Sequence, residues 1–225
     1  MFGAPVPPVL EAFASFLGEP KADQATTLKA CSPTDAPVWA PPELRVFAVA
    51  PAGELVGVVV AHPEQPAPDW PIATYSAATG AQLLGQTARS ALATLVERYL
   101  PESPDEIVLS LLRVRLAVAA EPTGAWPRLE GLSRVTIADG IDLVVPRHTV
   151  DPADFRQARG IHPLLPWIVA LAKERPGSAL ALCRAAAFEA FRRGDGALGA
   201  QLRVAMAPMY RSLGRPIYAR ACEPG

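Results

Sequence analysis

The run Leu44-Arg45-Val46-Phe47-Ala48-Val49, the turn Pro51-Ala52-Gly53 and the run Leu55-Val56-Gly57-Val58-Val59-Val60 decide the fold class. Two β-branched runs joined by a short glycine-containing turn predict a β-hairpin. The second run scarcely alternates between apolar and polar residues, so it reads as a strand buried on both faces. Beyond the His62 to Pro71 loop, Ile72-Ala73-Thr74-Tyr75 reads as a third strand.

Helical patterns flank this core. Upstream, Val9, Leu10, Phe13, Phe16 and Leu17 recur at three- and four-residue spacing over Pro7 to Leu17, with Gly18 at the end. Glu19 to Pro42 is a polar, proline-rich connection. Downstream, Gly85 to Leu100 predicts an amphipathic helix with Ala88, Ala91, Leu92, Leu95, Val96 and Tyr99 on one side. Ser103-Pro104-Asp105-Glu106 has the form of a capping box with Ser103 as N-cap, opening an apolar helix to about Ala120. Val108 to Val118 also fits a strand. A second hairpin is expected at Val135-Thr136-Ile137 and Ile141 to Val145, joined through Asp139-Gly140, a pair suited to positive φ at both turn residues.

After Val150 the texture is helical. Asp151 caps a short helix with Pro152 in its first position. Pro163 to Lys173, Ser178 to Arg193 and Ala197 to Leu213 follow, separated by Pro176-Gly177 and Gly194-Asp195-Gly196. The last two form an antiparallel pair, because so short a loop leaves no other direction; Leu180, Phe188 and Leu202 lie on their apolar faces. The sequence therefore predicts an α+β fold: a small antiparallel sheet with flanking helices over 1–146, followed by an all-helical region over 147–225.

Composition narrows the functional classes. At 225 residues, half of them hydrophobic and 19% charged, the chain has enough apolar surface for a real core. Its 25 prolines mark stiff loops, since proline continues neither a helix nor a central strand. Three widely spaced cysteines, Cys31, Cys183 and Cys222, give neither a zinc spacing nor a disulfide framework. Met1 to Pro5 lacks the marks of a signal peptide, and no apolar run approaches the ~20 residues of a bilayer span. A soluble, cytoplasmic protein without membrane contact is expected. The net charge of -1 conceals a split. Residues 1–146 hold nine Lys/Arg against sixteen Asp/Glu; residues 147–225 hold twelve against six, and eleven of the twelve are arginine.

Chemistry is sparse. His62, with Glu64 and Asp69 nearby, follows an apolar strand, where catalytic groups occur; the competing reading is a loop histidine bonded to backbone. His148 and His162 are too far apart for a helical ligand pair. Cys183, among Leu180, Leu182, Ala186 and Ala187, reads as a core residue rather than a nucleophile. No GxSxG, GxxxxGK[ST] or strand-borne GxGxxG is present, so no cofactor is implied. Arg184, Arg192, Arg193, Arg203, Arg211 and Arg215, with Arg220, form the candidate interaction surface, arginine being suited to bidentate bonds with carboxylate or phosphate. Tyr210 and Tyr218 alone stand beside them for stacking on bases.

Two resemblances follow from these residues. The order of the Val46 to Val60 hairpin, Pro63-Glu64, Trp70-Pro71-Ile72 and the Ala/Leu-rich helix ending at Tyr99 resembles the SUKH superfamily over residues 44–100. Trp39, followed by Ala40-Pro41, departs from that family's aromatic–glycine signature. The resemblance implies a non-enzymatic protein, typically a bacterial immunity protein that blocks a toxin. The Ser178 to Leu213 pair resembles a single tetratricopeptide-like hairpin. The expected function is protein binding, in immunity or another accessory role in bacterial conflict. The alternatives are a nucleic-acid-associated or complex-assembly subunit and, after it, an enzyme using His62 or His148.

Overall fold

The computed structural model describes residues 7–32, 36–60, 70–85, 87–119, 130–156 and 164–223. The fold is α+β with a helical C-terminal region, and the chain divides into two compact units. The first comprises 1–36, 44–76 and 81–127; the second comprises 37–43, 77–80 and 128–225.

In the first unit, helix α1 (Pro8–Leu17) opens with proline in its first turn and buries Val9, Leu10, Phe13, Phe16 and Leu17. Strands β1 (Lys29–Ala30), β2 (Leu44–Val49), β3 (Leu55–Val59), β4 (Ile72–Ser76) and β5 (Gly80–Leu83) lie side by side in sequence order, with β1 to β4 antiparallel. The hairpin is where the sequence puts it: β2 alternates in burial, whereas every residue of β3 is buried. Leu44 pairs with Val59 and Val49 with Leu55, with a register shift between Val46 and Ala48.

Helices α2 (Ala88–Arg98) and α3 (Glu106–Val118) complete the unit. A reciprocal cap fixes the start of α2. Thr87 Oγ1 accepts from the Ser90 amide and Ser90 Oγ accepts from the Thr87 amide, both at 3.1 Å. The helix α3 begins differently from the expected capping box. Asp105, not Ser103, is its N-cap, with Oδ1 accepting from the amides of Ile107 at 2.9 Å and Val108 at 3.1 Å. A carboxylate oxygen takes both orphan amides at once and carries the charge favoured at a helix N-terminus, so it prevails over a serine two residues upstream. Phe13, Val56, Ile72, Leu92, Leu95, Leu109 and Leu112 meet in one core.

The second unit joins a hairpin to a stack of helices. Strands β6 (Leu132–Val135) and β7 (Leu143–Pro146) pair antiparallel. Their turn is not the expected two-residue one. Among the described residues only glycines have positive φ; Gly140 is at 81°, whereas Asp139 stays on the ordinary side. Helices α4 (Pro152–Arg156), α5 (Leu164–Glu174), α6 (Pro176–Arg192), α7 (Gly196–Ser212) and α8 (Pro216–Cys222) follow. The Pro176-Gly177 pair, expected as a separator, is instead the first turn of α6, because a proline there loses no intrahelical hydrogen bond. The same rule starts α8 at Pro216, beyond Ala197 to Leu213, the last helix expected from the sequence.

The two longest helices end alike. Gly194 and Gly214 adopt φ of 81° and 74°, and the next amides reach back five residues, Asp195 to Ala190 O at 2.9 Å and Arg215 to Tyr210 O at 2.8 Å. These are Schellman turns. The helices α6 and α7 pack closely at Gly199, where a Cβ would lie 2.7 Å from the Phe191 ring. Leu180 and Leu202 sit in the core of this unit, as their faces predict, and Phe188 is buried too. Leu143 and Val145 of β7 belong to the same core. The β6–β7 hairpin, grouped by sequence with residues 1–146, thus belongs to the helical unit.

Candidate interaction surface

Helix α3 carries two apolar faces. Val108, Leu109, Leu112 and Leu116 point into the core of the first unit. On the other side Ile107 is 74% exposed, Leu111 56%, Val114 57% and Val118 77%. Their spacing of four, three and four residues keeps them on one stripe of the helix, the seam spacing of a coiled coil. Eight large hydrophobic residues are exposed among the described residues, and these four lie on one 13-residue helix. The stripe is held in place from both flanks. Arg113 bonds Glu97 of α2 at 2.7 Å, while Arg115 pairs with Glu19 and stands over the Phe16 ring, 5.9 Å from its centroid.

The arginines do not make the surface expected of them. Arg184 is buried in the second unit, 2.6 Å from Asp139 and 3.2 Å from Glu43, and it also donates to Ile141 O at 3.0 Å. Tyr210 donates to Glu43 at 2.6 Å. Burial pushes the Asp139 carboxyl above its usual range, opposed by the Arg184 charge, and raises the Tyr210 hydroxyl well above its usual value. Arg215 is buried as well and donates to Val144 O. Arg184 and Arg215 are therefore interior groups. A guanidinium leaves water only where acceptors replace its hydration, and these acceptors lie far off in sequence.

Arg192, Arg193, Arg203 and Arg211 have partners within the chain. Arg192 and Arg193 both bind Glu189, holding its carboxyl down at about 2. Arg203 donates to the carbonyls of Val38 at 2.6 Å, Ala40, and Ala221 at 2.9 Å. Arg211 pairs with Glu223. Arg220 is exposed. Tyr210 and Tyr218 are fully buried, 5.5 Å apart edge to face, so neither offers a ring to a base.

His62, Glu64, Asp69 and His162 lie outside the described residues. His148 sits exposed in the 3-10 turn Arg147–Thr149. Among the described residues no three His, Cys, Asp or Glu side chains are placed to hold a metal ion. Cys183 donates to Leu202 O at 3.2 Å, and burial pushes both its thiol and that of Cys222 up to about 12. Neither supplies a thiolate at neutral pH. Cys31 lines an apolar cavity of about 320 Å³ with Leu10, Ala14, Phe47, Val58 and Trp70. No helix among the described residues is long and apolar enough to cross a membrane.

The α3 stripe escaped the sequence analysis, although its signal was present. Nine of the thirteen residues from Glu106 to Val118 are apolar, more than one buried face can use. No protein-family model and no curated protein matches the chain.

Proposed function

We propose that this chain is a non-catalytic protein-binding protein that docks its partner on the exposed face of α3. The observation that carries the role is the four-residue aliphatic stripe on a helix whose opposite face is already packed. Aliphatic side chains gathered on one face gain from burial against a partner, whereas scattered ones do not. Cytoplasmic immunity or another accessory role in bacterial conflict, implied by the SUKH resemblance, fits within this function. The protein partner is favoured over nucleic acid because five of the six candidate arginines take carboxylate partners or lie buried, and the sixth binds main-chain carbonyls.

The test is direct binding. A protein co-purified from the native host is made recombinantly and titrated against wild type and the double variant Leu111→Asp/Val114→Asp. A loss of tenfold or more in affinity, with an unchanged circular dichroism spectrum, is expected. Equal affinity for both proteins would remove α3 from the interface. Tight binding to RNA or DNA with a log–log salt slope steeper than about −4, several contacts at about −0.9 each, would instead favour the nucleic-acid alternative.

A further inference from the structure

We propose that the buried cluster of Glu43, Asp139, Arg184 and Tyr210 is a proton-linked fastening. It takes up one proton on mild acidification, and the second unit then holds together more firmly at about pH 5 than at about pH 8.

The cluster joins three pieces of chain that are remote in sequence. Glu43 ends the segment 37–43, Asp139 sits between β6 and β7, and Arg184 and Tyr210 come from α6 and α7. Arg184 Nη2 lies 2.6 Å from Asp139 Oδ2 and Nη1 lies 3.2 Å from Glu43 Oε2. Tyr210 donates to Glu43 Oε1 at 2.6 Å. None of the four side chains is more than 3% exposed.

Two carboxylates thus share one guanidinium. With both ionised the cluster is negative in an interior that water cannot screen, and one added proton makes it neutral. Arg184 keeps its own proton: burial acts against its charge, but Asp139 and Glu43 outweigh that and raise it. Tyr210 keeps its proton too, because burial and the Glu43 charge push the hydroxyl well up. The added proton therefore goes to a carboxyl. Burial first, and then the Glu43 charge, hold Asp139 above its usual range, against the pull of Arg184 and of the Ile141 amide at 3.0 Å from Oδ1.

The surrounding groups leave this balance in place. Arg215, the other buried arginine of the unit, donates to Val144 O. Gly80 brings no side chain to the Asp139 main chain; a Cβ there would lie 2.6 Å from Asp139 O. Cys222 of α8 faces Tyr210 as a neutral thiol, pushed up to about 12 by burial, and Arg203 bonds the adjacent Ala221 O at 2.9 Å.

The direction follows from linkage. Raised in the fold from 3.8, the Asp139 carboxyl holds a proton that the unfolded chain has released. Its contribution is complete below pH 3.8 and is lost as pH rises through the folded value. Glu189, held at about 2 by Arg192 and Arg193, acts in the opposite sense, but only below its ordinary 4.5.

Urea unfolding of the full chain at about pH 8, 6.5 and 5 tests this. The unfolding constant of wild type should fall several-fold across that range, by at most about tenfold per pH unit for one proton. Glu43→Gln and Asp139→Asn each leave one carboxylate to one guanidinium, neutral without a proton. Each variant should therefore lose that slope, whatever its absolute stability. An ion pair of purely structural role would lower both stabilities and leave wild type flat. A flat or reversed wild-type profile overturns the inference, and so does a slope unchanged by either substitution. Wild type also gives a measurement that needs no variant. The Asp139 carboxyl resonance, followed by NMR in isotope-labelled protein, should titrate with a midpoint above 3.8. A midpoint at or below that value overturns the inference.

Discussion

Arg184 shows how far a single residue's environment can depart from its sequence context. It stands in α6 between Cys183 and Ala185, and its nearest helical neighbours are Leu180, Ala181, Ala187 and Phe188. That setting already marks an arginine on an apolar face. Its acceptors, Glu43 and Asp139, come from two distant segments and could not be read from spacing. Replacing Arg184 by Met would leave two buried carboxylates facing each other without their cation. The expected loss is about 3–5 kcal/mol in urea unfolding, and a loss below about 1 would contradict the burial described. The thiols of Cys183 and Cys222 give a pH prediction. Their usual value of 9.0 rises to about 12 in the fold, so above pH 9 the unfolded chain releases protons that the folded one keeps. Their contribution is complete below pH 9 and is lost as pH rises toward 12, at up to about 1.4 kcal/mol per thiol per pH unit. Urea midpoints of wild type and of Cys183→Ala/Cys222→Ala at pH 8 and 10.5 measure it. The alkaline drop should be smaller in the variant.

At the scale of elements, the long and strongly patterned segments were readable and the short ones were not. The β2–β3 hairpin, α1, α2, α6 and α7 follow directly from β-branched runs or helical spacing. Strands β1 and β5 did not announce themselves: Lys29-Ala30 is too short to alternate, and Gly80-Ala81-Gln82-Leu83 has no β-branched residue. Each owes its place to the neighbouring strand. The start of α3 was misread by two residues because Ser103, Pro104 and Asp105 all favour a helix entrance. The two assignments predict different outcomes. Asp105→Ala should cost about 1 kcal/mol, and Ser103→Ala should stay within about 0.5, as measured by thermal or urea unfolding. The reverse order would restore Ser103 as the cap. The exposed side of α3 was hidden by the same abundance of apolar residues that made the helix ambiguous with a strand.

For the whole molecule, the change of sequence texture near residue 147 does not coincide with the division of the packing, whose second unit is 37–43, 77–80 and 128–225. The second unit takes the β6–β7 hairpin together with 37–43 and 77–80, because Leu143 and Val145 complete the core of α6 and α7 and Glu43 answers Arg184. A fragment of residues 147–225 keeps the helices but lacks both carboxylates that Arg184 needs. It should show no cooperative thermal transition, followed by circular dichroism at 222 nm (the usual helical band). A sharp transition in that fragment would show that the helical stack is self-sufficient.

The discontinuous second unit also constrains how the chain comes off the ribosome. Residues up to 127 contain every piece of the first unit, so it can form while synthesis continues. Glu43 cannot reach its native place then, because its hydrogen-bond donor Tyr210 is 167 residues further on. At roughly 5–20 residues per second, that carboxylate waits about 8–33 s in water after it is made. The segment carrying it is tethered at Leu44 to a strand already in its sheet, and it becomes interior only when the last helices have been translated.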